Sequence, residues 1–143
     1  MAEFALATLE RTLKIAFEAP GAIWGANVYN GVAKAGTAYP YLIFYNAGGG
    51  EDNDRTEQDA TYLIGVKCVS NRRGQALMGA GQIATRLNDQ GMQDSGATLT
   101  VTGGEWIITT CTQERVIDIP DNFQQTEPIY HVGGIYRIVM GVP

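Results

Sequence analysis

The most chemically suggestive stretch runs from Asn46 to Val69, NAGGGEDNDRTEQDATYLIGVKCV. Three glycines stand there beside the carboxylates Glu51, Asp52, Asp54, Glu57 and Asp59, and an alternating apolar run follows. Glycine-rich turns cradle phosphates and spaced carboxylates hold hard cations, so both chemistries have to be weighed. A Walker loop is excluded, because no Gly-Lys-Ser/Thr follows the glycines. An EF-hand is excluded too. If Asp52, Asp54 and Thr56 took the first, third and fifth positions, Glu57 and Leu63 would fall where a glycine and a bidentate Glu are required. One or two carboxylates could still meet magnesium or manganese, but metal sites are built on firm elements and three glycines loosen this one. The bland reading is a solvated acidic hairpin tip in which Arg55 is the one cation.

Three other signals are weaker. Gly79 to Ala84, GAGQIA, matches the dinucleotide fingerprint in letters, yet it falls inside a helical pattern and position 101, where an acidic residue is needed, is Val. The single His131 has no Ser or Cys in a nucleophile setting such as G-x-S-x-G to serve, and reads as a strand histidine with a satisfied hydrogen bond. Trp24 and Trp106 could stack on a sugar or base, although buried aromatic anchors are commoner. No catalytic set, cofactor or metal is expected.

The whole chain bounds the answer further. Its 143 residues suit one domain, 1 to 143, and its 45% apolar and 17% charged content is that of a folding chain. A net charge of −5 and scattered basic residues work against any grip on nucleic acid. Cys68 and Cys111 lack the close spacing of zinc or redox motifs and read as reduced core residues. No leader-like run opens the sequence and no apolar run nears the ~20 residues needed to span a bilayer, so a soluble cytosolic product is expected, with no membrane partner.

The elements that must position these residues follow from periodicity. Leu6, Leu9, Leu13 and Phe17 predict an amphipathic helix over 2 to 18, with Glu10 and Lys14 paired on its outer side and Pro20-Gly21 as its stop. Residues up to Gly36 read as a glycine-dotted connection that packs down. YPYLIFY, 39 to 45, is apolar on both faces, as in a central strand covered on both sides. From Tyr62 the even positions Tyr62, Ile64, Val66 and Cys68 form one buried face. These two strands, about a dozen polar residues apart, predict an antiparallel pair with a long tip.

Ser70 or Asn71 caps a second helix with the inner stripe Ala76, Leu77, Ala80, Ile83, Ala84 and Leu87, ended by Gly91. Gly74, Gly79 and Gly81 within it suggest close approach to a sheet or a neighbouring subunit. Strand-like segments follow at 97 to 101, 106 to 118 and 129 to 140, with Gly103-Gly104 a turn between the first two. The sum is an α+β domain: a mostly antiparallel sheet of about five strands with two main helices packed on one side.

Three segments carry a resemblance: VYNGVAKAGTAYPYLIFYNA (28 to 47), QDATYLIGVKCVSNRRGQALMGAGQIATRLND (58 to 89) and IYHVGGIYRIVM (129 to 140). On these the chain resembles the tail terminator, or tail completion, family of long-tailed bacteriophages over nearly its whole length; Asn27 stands where an Arg often precedes the Val-Tyr pair. The resemblance implies a non-enzymatic virion protein assembled in the bacterial host cytoplasm. It would form a six-subunit ring that caps the head-proximal end of the tail tube, ends polymerisation and offers a surface to the head or neck.

Its implied partners are further copies of itself, the tail tube protein and a head or neck connector, and DNA would pass through without specific binding. The acidic loop Glu51, Asp52, Asp54, Arg55, Glu57 and Asp59 would then line the channel or dock on the tube, with a subunit contact on Arg72, Arg73, Gly74, Gly79 and Gly81. Rival readings are a head-completion or neck protein, a metal-dependent phosphodiesterase that would bind manganese at the acidic loop, and a small ligand-binding module using Trp24, Tyr29 and Tyr39.

Overall fold

The computed structural model describes residues 5–52, 59–87, 107–121 and 128–141. Helix α1 (Ala5–Glu18) turns Leu9, Leu13 and Phe17 fully inward, as the spacing requires. Two threonines share that inner side, and the Thr12 hydroxyl donates to the Thr8 carbonyl at 2.8 Å, so burial leaves no cost there. Lys14 pairs with Glu18 at 3.8 Å rather than with Glu10, which is half-buried on the flank while both partners of the observed pair stand in solvent.

The C-terminal carbonyls of α1 lack partners within the helix, and two distant side chains supply them. Trp24 lies edge-on to Phe17 and its Nε1 donates to the Phe17 carbonyl at 2.7 Å. Arg86 donates to the carbonyls of Ala16, Ala19 and Pro20 at 2.7, 3.1 and 3.2 Å, with its guanidinium 5.5 Å from the centre of the Trp24 ring.

Among the described residues five strands form one sheet in the order β1-β2-β3-β5-β4. They are β1 (Val28–Asn30), β2 (Tyr41–Asp52), β3 (Asp59–Ser70), β4 (Ile107–Asp121) and β5 (Ile129–Gly141). The β1–β2 pair is parallel and the others antiparallel, and both helices lie on one face, α2 (Arg73–Leu87) over β5 and β3 and α1 towards β1. Strand β1 lies in what the sequence suggested was only a connection. Three residues between glycine-rich turns are too few for periodicity to reveal.

The β2–β3 hairpin departs most from expectation. Its strands run on to Asp52 and from Asp59, so the glycines sit inside the ladder and the connection shrinks to residues 53 to 58. A bulge at Ala47 and left-handed φ values at Gly48 and Gly49 accommodate them. Gly49 is obligatory here: a Cβ would lie 2.0 Å from the Thr61 carbonyl oxygen. Across the same pair the Tyr45 ring covers Gly65, occupying the space a Cβ would need.

Alternation in β3 is as predicted, with Tyr62, Ile64, Val66 and Cys68 buried against the helices. They join Leu9, Leu13, Phe17, Trp24, Leu42, Phe44, Tyr136 and Ile138 in the main core. The opposite face holds a smaller cluster, Ile43, Val69 and Ile129, flanked by Ala33, Tyr41 and Tyr45, which is why YPYLIFY is apolar on both sides.

Ser70 opens α2: its hydroxyl accepts from the Arg72 amide at 3.1 Å and donates to Gln75 Oε1 at 2.6 Å. The buried stripe is Ala76, Gly79, Ile83 and Leu87. Leu77 is not part of it, because position 77 falls about 100° round the helix from 76 and faces solvent. Gly91, the Gly103-Gly104 turn, Trp106 and the expected strand 97 to 101 lie outside the described residues.

Both cysteines are buried and neither forms a disulfide. Burial pushes the Cys68 thiol from its ordinary 9.0 up to about 12, and burial together with the neighbouring Cys111 raises Tyr136 from 10.0 to about 12. Folded values above unfolded ones mean that this stabilisation is complete below about pH 9 and is lost as pH rises towards 12. Stability by urea unfolding is therefore expected to hold to about pH 8.5 and to fall by roughly 2 to 4 kcal/mol by pH 11. Cys68→Ala should lower stability at pH 8 yet flatten that fall, and an unchanged slope would count against the assignment.

Candidate assembly surfaces

The residues the sequence singled out fall at opposite ends of the sheet. Glu51, Asp52 and Asp59 carry the far end of the β2–β3 ladder, level with Gly141 and Ile107. Asp54, Arg55 and Glu57 lie outside the described residues. Arg72, Arg73 and Gly74 stand at the other end, where β3 passes into α2, a strand length of about 40 Å away.

The glycine and arginine positions of α2 have different roles. Gly79 packs inside the chain, where a Cβ would lie 2.3 Å from Cys68 Sγ, whereas Gly74 and Gly81 face open space. The Arg73 guanidinium grips Asp118 of β4 with two bonds of 2.8 Å and lies 6.0 Å from the Tyr130 ring centre. The hydrogen bonds and charge of Arg73 hold Asp118 below the usual carboxylate range. Arg72 is exposed.

GAGQIA lies within α2 rather than at a strand-to-helix turn, so it lacks the setting that dinucleotide binding needs, and His131 lies in β5 between Val69 and Ile119. Trp24 is buried in the core, which removes it from any ligand-binding surface. Among the described residues no three of His, Cys, Asp and Glu gather as a metal set, and no helix is long and apolar enough to cross a membrane.

Exposed large apolar side chains, which periodicity did not flag, are more informative. Val32 is 83% exposed, Val116 73%, Met78 58%, Ile15 on α1 57%, Ile119 56%, Leu77 46% and Tyr39 40%. Val32 and Tyr39 flank β1, Val116 and Ile119 lie on β4, and Leu77 and Met78 lie on the outer side of α2. The edge strand β4 gave a visible signal: in RVIDIP, Val116 and Ile117 place apolar groups on both faces in succession, unlike a half-buried strand.

Comparison with solved structures matches this geometry to a chain from the virion of a native gene transfer agent particle, with a TM-score of 0.66, 14% identity and coverage of 96% of this chain and 95% of that one. The two share a fold from end to end. No protein-family model matches the sequence. No curated protein matches it either.

Proposed function

We propose that this chain is a non-enzymatic structural protein of a bacteriophage-like virion, and more narrowly the tail terminator. In that role it forms a ring, of six subunits in the family it resembles, that caps the tail tube and joins it to the head. The observation carrying the proposal is the end-to-end fold match to a virion chain. Its narrower part rests on the three resembling segments, 28 to 47, 58 to 89 and 129 to 140. Among the described residues β1 and β4 have no strand beyond them, which suits such a role, since an exposed edge is a pairing hazard unless a neighbour covers it.

In the ring, the hairpin end bearing Glu51, Asp52, Asp54, Arg55, Glu57 and Asp59 is repeated in every subunit. Like charge along a channel wall repels DNA phosphates over a Debye length of roughly 8 to 10 Å, which keeps a sliding duplex from sticking. The same end could instead dock on the tail tube protein.

Sedimentation velocity with negative-stain imaging is expected to give a closed ring with a central hole, alone or with purified tail tubes. Neutralising the five carboxylates with Gln and Ser should leave the ring intact while altering tail length or lowering infectivity at least about tenfold. Virions with normal tails and full infectivity would remove the acidic end from the mechanism.

A further inference from the structure

We infer that the ring closes by edge-to-edge continuation of the sheet, with β4 of one copy joining β1 of the next. The inference rests on the ring reading above and names its interface.

Register sets the geometry. Through successive pairings Val28, Leu42, Cys68, Val132 and Asp118 lie in one row, Tyr29, Ile43, Lys67, Gly133 and Ile117 in the next, and Asn30, Phe44, Val66, Gly134 and Val116 in a third. The whole of β1 is thus level with residues 116 to 118 of β4. The two edges also run antiparallel, since β1 follows β2 and β4 opposes β5, which itself runs with β2. Rotation about an axis along the strands would bring these edges together in the orientation that antiparallel pairing needs.

The same level carries the exposed apolar groups. On β4, Val116 shares the helix-side face with Asp118, and Ile119 lies on the opposite face beside His131. A partner lying on either face would cover one of them; a strand added along the edge flanks both. The usable edge is also bounded, by a bulge between Gln113 and Arg115 and by Pro120, which leaves 115 to 119 for the three residues of β1.

The Arg73–Asp118 grip ties α2 to this edge. Gly79 of the helix lies against Cys68, which shares the row of Asp118, so the exposed Leu77 and Met78 stand within about one helical turn of that row. In the inferred contact Leu77, Met78 and Val116 form one surface. Across the molecule, Val32 and Tyr39 beside β1 supply the second. Two unlike apolar patches on opposite edges are what a heterologous, closing interface requires, so each patch finds its occupant in a second copy of the chain.

The test compares wild type with Val116→Lys/Ile119→Lys and with Asn30→Cys/Val116→Cys, all positions being exposed and the native cysteines buried. The lysine variant is expected to fold with an unchanged thermal midpoint and to need a concentration about thirtyfold higher or more to assemble. The oxidised cysteine pair should give a covalent ladder ending at the ring size, and Val116→Cys alone should stay monomeric on a non-reducing gel.

A wild-type ring that persists in the lysine variant and gives no ladder would overturn this interface while leaving the ring standing. Disulfide dimers from Val116→Cys alone would overturn it in favour of β4 pairing with itself. Wild type that forms no ring even on tail tubes would overturn both readings.

Discussion

Gly133→Val is expected to abolish the native sheet, and Gly133→Ala to cost nearly as much. A Cβ at 133 would lie 1.9 Å from the Val66 carbonyl oxygen and 2.7 Å from Lys67 Cα. Those atoms belong to β3, which is held on its other side by β2, so the clash cannot be relieved by swinging a flexible side chain aside. Gly134, beside it, is less tightly closed: a Cβ there would lie 2.8 Å from the end of the Gln113 side chain, which can move, and 2.9 Å from the Arg115 carbonyl oxygen.

A loss of at least about 4 kcal/mol is expected, a large part of the roughly 5 to 15 that a domain usually has. Gly74→Ala is the control: it lies in a helix with open space around it and should stabilise by roughly 0.5 to 1 kcal/mol. Urea unfolding followed by circular dichroism measures all three. If Gly133→Ala folded with an unchanged midpoint, the close approach of β5 to β3 would not be as described.

The second large effect is at Trp24. Trp24→Ala is expected to destabilise by about 3 to 5 kcal/mol, the range for emptying a large buried aromatic site. Three interactions go with the ring: the edge contact to Phe17, the bond to the Phe17 carbonyl and the face offered to Arg86. Trp24→Phe keeps most of the volume but loses the donor, so it should cost less. Because Arg86 and Trp24 serve the same helix end, Trp24→Ala and Arg86→Ala should not add; a coupling of about 0.5 to 3 kcal/mol is expected from the double-mutant cycle. Strict additivity would mean that the two act independently.

Patterns long enough to repeat are legible in the sequence itself. α1, the buried even face of β3 and the two-sided apolar character of β2 all rest on several residues at a fixed period, and each is found where expected. Short or non-local features leave no such mark. β1 has three residues and no period to display. The glycines at 48 to 50 carry the composition of a turn, and only their pairing with 61 to 63 reveals a ladder built through them.

Leu77 resembles a core position because helix phase drifts between neighbouring positions and small residues at 76, 79 and 80 leave the inner side weakly marked. The candidate assembly surfaces are harder still. Gly79 and Gly81 are indistinguishable in sequence, yet one meets Cys68 and the other meets nothing within the chain. Nothing local marks Asp118 as the partner of Arg73, since the pair spans 45 residues.

The strand order has a kinetic consequence. β5 follows β4 in the chain but lies between β4 and β3, whose Asp59–Ser70 segment precedes it by some 70 positions. During synthesis the β2–β3 hairpin and α2 can organise early, while among the described residues β3 keeps one side unsatisfied and β4 has no strand partner until β5 emerges. Closure therefore waits on a long loop and falls in the slow, millisecond-to-second regime of topologies rich in distant contacts. Meanwhile the exposed flanks of β3 and β4 are sticky, and crowding of nascent chains on one message would favour mispairing. In the proposed ring, each chain must therefore fill its own central slot before it can meet the next.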